Sequence, residues 1–388
     1  MRTVADAQPE GKRVLVRVDF NVPLAKGKVE DDTRIRAALP TIQLLLSRGA
    51  RAIALCSHLG RPKGRDAGLS LAPVAQRLSE LLALRVPLLA DSVGVEIPDG
   101  VSLLENVRFH GEEERNDPSF AKRLAAPFDL YVNDAFGAAH RAHASTEGVA
   151  RLLPAYAGLL LEREVEVLTG LLREPERPFL AIVGGAKVSS KIDVLKALVG
   201  KADAVAIGGG MANTFLSATG NEVGKSLREP DKEDEARAII RSAKEREIDL
   251  ILPADVVCAA SIDAASGTVH AADRVPADLR IVDVGPRTLD EYARAIAKAR
   301  TIFWNGPVGV FESPAFAAGT RRVAELLAAA RATTVVGGGE SVQAVEEAGL
   351  ADRLTHVSTG GGAALELIEG KTLPGVAAIP DRGGSPVA

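Results

Sequence analysis

Cys56-Ser57-His58-Leu59-Gly60-Arg61-Pro62-Lys63-Gly64 follows directly on a short apolar run, 52–55. An imidazole, a guanidinium and two glycines share one turn behind what reads as a buried strand. In α/β sheets ligands gather outside the carboxyl ends of the strands. A rigid arginine fork at such a place suits phosphate or carboxylate. The pattern recurs along the first half of the chain. Asp19 and Asn21 follow the run 13–18, Arg108 follows 102–104, Arg141 follows 129–132, and Arg34 opens a helix-like stretch behind Asp31-Asp32-Thr33. If these runs form one parallel sheet, their ends converge on one edge. The arginines and His58 then make an anion site, and Asp19 and Asn21 can hold a hydroxyl. Any one of these arginines alone reads as a solvated surface charge; their repetition behind apolar runs favours the site. His140 and His143 read as structural or helix-start residues.

The second half repeats the idea with glycine. Four apolar runs end in Gly184-Gly185-Ala186-Lys187, Gly208-Gly209-Gly210, Gly337-Gly338-Gly339-Glu340-Ser341 and Gly360-Gly361-Gly362. Glycine lets backbone N–H groups approach a ligand, and a helix N-terminus just beyond is an anion site. Lys187 and Lys191 are four apart, so a helix starting here puts both on one face, against a nucleotide's phosphate tail. Tight turns for helix–sheet packing are the competing reading, which serves one cluster better than four. Gly220 to Ser226 is one residue short of a P-loop and lacks a leading β-run, so it reads as a loop. No dinucleotide fingerprint opens a helix, and neither H-E-x-x-H, G-x-S-x-G nor a kinase-type catalytic loop occurs. Two unlike phosphate-handling surfaces point to a transferase joining two phosphorylated ligands.

Further strands are expected at 179–183, 204–207, 250–252, 301–303, 333–336 and 354–357, alternating with helices. The stretch 71–84 sets Leu71, Val74, Leu78, Leu81 and Leu82 on one face of a 3.6-residue period. Such alternation predicts an α/β fold of two Rossmann-like domains, their parallel sheets covered by helices. The 388 residues allow two or three domains. The boundary is expected between 153 and 178, where the helix-like 159–172 and the polar Arg173-Glu174-Pro175-Glu176-Arg177-Pro178 form a hinge.

Composition excludes several classes. Hydrophobic residues are 46% and charged residues 25%, as in ordinary globular proteins. A net charge of −4 gives no basic face for nucleic acid, and 4% aromatics leave few platforms for bases. Cys56 and Cys258 are too few and too far apart for a disulfide framework or thiolate metal site, and read as small core residues. No signal peptide and no apolar run of roughly 18 residues occurs, so a cytoplasmic protein without membrane contact is expected. The tail 380–388 reads as frayed, and no solenoid period is present.

Taken together, Val16–Pro23, Asp32–Arg36, Ser57–Gly64, Leu104–Phe109, Asn133–Thr146, Ile182–Lys191, Ile207–Thr214, Gly224–Leu227, Trp304–Glu312, Gly337–Ser341 and Ser358–Gly362 resemble the phosphoglycerate kinases, in that family's order and over almost the whole chain. Trp304-Asn305-Gly306-Pro307-Val308-Gly309-Val310-Phe311-Glu312 is the most specific piece. The resemblance implies an N-terminal domain, 1–155, for 3-phosphoglycerate or 1,3-bisphosphoglycerate, with 372–388 packing back on it. It implies a hinge at 156–177 and a C-terminal domain, 178–371, for Mg-ADP or Mg-ATP. By matching motif, Asp19, Phe20, Asn21, Arg34, His58, Leu59, Gly60, Arg61, Arg108 and Arg141 would bind the phosphoglycerate. Lys187, Lys191, Gly208, Phe311, Glu312, Gly338, Gly339, Glu340 and Ser341 would bind the nucleotide, and Glu340 the magnesium. Arg34, Lys187 and Lys191 would be catalytic in a direct in-line transfer without a general base, on hinge closure. A monomer is implied. The family usually has aspartate where Glu340 stands, and often threonine at Ala138. A two-lobed phosphometabolite-binding protein without catalysis is the alternative, though it needs no second phosphate site; a nicotinamide-dependent dehydrogenase lacks its fingerprint.

Overall fold

The computed structural model describes residues 1–383. Met1–Glu166, together with the described residues from Lys371 on, forms one compact unit; Val167–Gly370 forms a second. The first is built on five strands in the order Gly100–Leu103, Ala52–Cys56, Arg13–Arg17, Leu130–Asn133, Ala155–Ala157. Every pair is parallel. Ala52–Cys56 is buried at every position, which is why it reads as a continuous apolar run: helices cover both faces of the sheet. The helix Thr33–Ser47 contributes Ile35, Ala38, Ile42 and Leu45 to this core. The helix Ala72–Leu82 contributes Val74, Ala75 and Leu78. It stops where Ala83 turns left-handed, at φ +51°, so Leu84 falls outside it and is exposed. Strand order reverses between Arg13–Arg17 and Leu130–Asn133, the crevice where doubly wound sheets take ligands.

The second unit carries six parallel strands in the order Asp249–Ile251, Ala204–Ile207, Phe179–Val183, Thr301–Asn305, Thr333–Gly337, His356–Val357. Its reversal lies between Phe179–Val183 and Thr301–Asn305, placing Gly184 and Gly306 at the crevice. The parallel sheets flanked by helices are those the sequence predicts. A three-stranded antiparallel sheet, Thr268–Ala271, Asp255–Ala259 and Arg280–Val284, was not anticipated.

The helix Leu159–Arg173 begins in the first unit and ends in the second. Asp134 Oδ1 caps its start, accepting from the N–H groups of Leu160 and Leu161 at 2.9 and 3.2 Å. The tail expected to fray is held as far as it is described. Arg2 N donates to Pro380 O at 2.7 Å, and Arg382 Nε to Asp6 at 3.0 Å; residues 384–388 lie outside the described part. Among the described residues no helix is long and apolar enough to cross a membrane. Cys56 and Cys258 are both buried and unpaired.

Candidate active site

At the crevice of the first unit the structure gathers Arg34, Arg108 and Arg141 about His58, and adds Arg17, which sequence reasoning missed. Arg17 is fully buried. Its Nε donates to Ser145 Oγ at 2.7 Å, and Ser145 in turn donates from N and Oγ to the buried Glu113 carboxylate at 2.9 and 2.6 Å. Its NH2 meets His58 Nδ1 at 3.2 Å. A guanidinium cannot accept a hydrogen bond, so His58 Nδ1 carries no proton and the ring hydrogen is on Nε2. Burial, then the fields of Arg17, Arg108, Arg141 and Arg34, hold the His58 pKa well below its ordinary value. His58 is a neutral donor in a cationic cluster.

The loop 57–60 is clamped from several sides. Phe20 N donates to Ser57 Oγ at 2.8 Å, and Gly60 N to Asn21 Oδ1 at 2.9 Å. Asn106 Nδ2 donates to Leu59 O and Arg108 NH1 to Gly60 O, both at 2.8 Å. Phe20 and Leu59 send their side chains into the core, so only their backbones remain near the crevice. Arg34, in the first turn of its helix, donates to Asp19 Oδ2 at 2.9 Å. Arg108 is 5% exposed, yet its Nε and NH2 lack a hydrogen-bond acceptor among the described residues. Glu114 comes only to 3.4 Å of Nε. Burial first, then Arg17 and Arg141, lowers the Arg108 pKa to about 10. Buried donors left unpaired are costly, and an anionic ligand would satisfy them. Arg141 Nε donates to His140 Nε2 at 3.2 Å. Arg61 is exposed, and no contact among the described residues ties it to the group. His143 is buried at the start of Ala144–Gly148, consistent with a structural role.

In the second unit the helix begins only at Ile192, so Lys187 and Lys191 do not share a helical face. Val188 turns inward between them and is fully buried. Lys187 stands exposed, its charge felt by Glu229. Lys191 Nζ spends its three hydrogens on Gly184 O at 2.8 Å, Asn305 O at 3.1 Å and Asn305 Oδ1 at 2.5 Å. Burial lowers its pKa to about 8. The packing reading explains part of the glycine pattern. At Gly209, φ +68°, a Cβ would lie 2.7 Å from both Gly185 O and Pro307 O. Gly338 is different: it caps the helix Gly339–Glu347 at φ +90°, and Asn305 Nδ2, buried and without an acceptor among the described residues, is its neighbour. That donor, the helix N-terminus and Lys191 make the cationic end of the site. Ser341 is committed to the protein, its Oγ accepting from Gly306 N at 2.9 Å and donating to Gly337 O at 2.7 Å.

Beside this end lies a cavity of about 490 Å³ within the second unit, walled by Leu227, Pro253, Val256, Val282, Val308 and Glu312 among others. The unanticipated antiparallel sheet supplies one wall. Phe311, expected in an adenine slot, is buried in the core of this unit between the cavity-lining Val310 and Glu312, and Gly208 sits against Val308. Glu312 and Glu340 also line the cavity. Burial raises the Glu340 pKa, as do the charge and hydrogen bond of Glu312, while Lys191 opposes them. Among the described residues no cluster of three or more His, Cys, Asp or Glu could cage a metal. Glu340 offers hard oxygen in a setting that a divalent cation sharing its remaining ligands with phosphate and water would suit.

A doubly wound α/β protein with an anion-competent crevice on each of two sheets is the class these features define. The family model for phosphoglycerate kinase matches residues 4–371. The chain is 54% identical to the phosphoglycerate kinase of Dictyoglomus turgidum over 98% of its length and 99% of that protein's. It is 55% identical to that of Rubrobacter xylanophilus over 98% of each. The solved phosphoglycerate kinase of Coxiella burnetii superposes with a TM-score of 0.89 at 45% identity, covering 97% of this chain and 98% of that one. The chain belongs to the phosphoglycerate kinase family, and it is a kinase.

Proposed function

We propose that the protein catalyses reversible phosphoryl transfer between 1,3-bisphosphoglycerate and ADP, giving 3-phosphoglycerate and ATP, as a cytoplasmic, monomeric enzyme of glycolysis. The observation that carries this reading is the buried Arg108 with two unpaired donors inside a cluster of three further arginines and a neutral histidine. Arg108, Arg141 and His58 Nε2 take the phosphate and carboxylate of the phosphoglycerate. Asp19 and Asn21 hold its hydroxyl end. The cavity of the second unit takes the nucleoside, with Glu312 accepting from the ribose hydroxyls. Gly338, Gly339 and Asn305 Nδ2 face the phosphates.

Both nucleophiles, a β-phosphate oxygen of ADP and the carboxylate of 3-phosphoglycerate, are ionised near neutral pH. No general base is required, and catalysis rests on positioning and charge stabilisation. Arg34, Lys187 and Lys191 neutralise the transferring group. Lys191 must exchange its protein acceptors for phosphate oxygen, so part of its charge is held in reserve at Asn305 and Gly184. Magnesium, held through Glu340, would neutralise phosphate charge. The reading includes a hinge at the helix Leu159–Arg173, whose closure expels water that would otherwise hydrolyse the acyl phosphate.

Calorimetry on three variants of the full chain tests the division of labour. Arg108→Ala should weaken 3-phosphoglycerate binding and leave ADP affinity unchanged. Glu340→Gln should do the reverse and raise the magnesium concentration needed for half-saturation, while Glu340→Asp stays near wild type. Loss of ADP binding in Arg108→Ala would overturn the assignment. If Glu340→Gln melts at lower temperature but keeps its magnesium dependence, the carboxylate serves only its helix N-terminus.

A further inference from the structure

We infer that Glu113 is a positioning residue for the anion crevice of the first unit: acting through Ser145 and Arg17, it fixes the single hydrogen of the His58 ring on Nε2, where a ligand anion accepts it. The inference rests on the phosphoglycerate reading of this crevice given above. Glu113 lies in the short helix Gly111–Glu114 and is fully buried. Among the described residues Ser145 alone donates to its carboxylate, N to Oε2 at 2.9 Å and Oγ to Oε1 at 2.6 Å, while His143 Nδ1 stops at 3.7 Å. Two donors of one residue thus meet both oxygens. Ser145 is itself held, since Tyr131 Oη donates to its carbonyl at 2.7 Å. With its hydrogen committed to Glu113, the Ser145 hydroxyl is left as an acceptor for Arg17 Nε at 2.7 Å.

Glu113 answers the Arg17 charge at one remove. Arg17 is the foremost influence opposing burial on the Glu113 carboxyl, and Ser145 is the group between them. A guanidinium is planar and rigid. Holding Nε at Ser145 and NH1 at Val18 O therefore sets where NH2 lies, 3.2 Å from His58 Nδ1. The ring has a second choice close by. Asp19 Oδ1 is 3.9 Å from the same Nδ1, so a ring released by Arg17 carries its hydrogen there, towards that carboxylate. Burial, the largest influence on His58, still keeps the ring neutral, and Nε2 then presents a lone pair. A lone pair repels phosphate and carboxylate oxygens, whereas an N–H binds them. An amide at position 113 cannot accept from both Ser145 donors, because one of its two ends is an NH2 group.

The test is the ¹⁵N spectrum of the His58 ring in the full-length protein near neutral pH, read beside calorimetric titration by 3-phosphoglycerate and by ADP with magnesium. The wild type should show Nε2–H. Glu113→Gln should move the ring towards Nδ1–H and weaken 3-phosphoglycerate roughly tenfold, the worth of one charge-assisted hydrogen bond, with ADP affinity kept within about twofold. Ser145→Ala, which deletes one hydroxyl, should give the same pair of changes. The double variant should be no worse than either single one, since the two residues act in one chain of contacts. Ser145→Ala decides the matter if Glu113→Gln folds poorly. A ring that stays Nε2–H in Ser145→Ala overturns the inference, as does a changed tautomer at unchanged 3-phosphoglycerate affinity. Failure of the wild type to bind 3-phosphoglycerate overturns the reading of the crevice instead, and the tautomer in the variants still decides whether Glu113 sets the ring.

Discussion

Arg34 and Arg108 carry the same charge into the same cluster but differ in what they lack. Arg34 is partly exposed and already bonded to Asp19, whereas Arg108 is buried with donors to spare. A group satisfied in the resting protein has little to gain from substrate and more from a transient charge. Arg34→Ala should therefore lower kcat by ~10²–10³ with a small change in KM; a rise in KM alone would assign it to ground-state binding. The neutral His58 makes a second prediction. Its ring ¹⁵N resonances should report the Nε2–H tautomer without titrating between pH 6 and 7, and a midpoint near 6.5 would contradict the geometry. His143 is also buried neutral, its pKa lowered to about 3 by burial first and then by Arg108, Arg17 and Arg141. The unfolded chain binds this proton near pH 6.5 and the folded one does not, so stability falls as pH drops from about 6.5 towards 3. The slope is up to about 1.4 kcal/mol per pH unit. Urea unfolding of His143→Asn at pH 7.5 and 5.5 should show a smaller loss than wild type. Most of the basic cluster was legible because its residues follow strands. Arg17 was not, because it ends the strand itself, and its partners Ser145 and Glu113 stand about a hundred residues away.

At the scale of elements, continuous apolar runs announced the parallel strands well, since a strand covered on both faces has no alternation to hide it. The antiparallel sheet went unread for the opposite reason. Thr268–Ala271 has no buried position and exposes its apolar Val269, and Arg280–Val284 mixes burial with charge. That sheet supplies one wall of the cavity in the second unit. The lysine pair failed similarly: four-residue spacing implies a shared face only inside a helix, and here the helix starts at Ile192, after both lysines. The cap on the linking helix invites a direct test. Asp134→Ala removes the acceptor for two N–H groups at its first turn and should cost about 0.5–2 kcal/mol. Asp134→Asn, which keeps an acceptor, should cost less. Equal losses in the two variants would show that the capping oxygen is not what Asp134 contributes.

For the whole molecule, two doubly wound units with unlike crevices imply two ligands of unlike chemistry. One crevice is rich in guanidinium and sized by its clamped loop; the other combines glycine backbone, a restrained lysine and an apolar cavity. A binding protein for one phosphorylated metabolite has no use for the second. The account's central claim is that a phosphoryl group passes directly between the two ligands, and the most direct measurement is the fate of that group. With ADP, magnesium and 1,3-bisphosphoglycerate, the purified protein should form ATP in step with the loss of acyl phosphate, with no inorganic phosphate released beyond the uncatalysed background. Binding of both ligands without ATP formation, or release of inorganic phosphate in place of ATP, would contradict it.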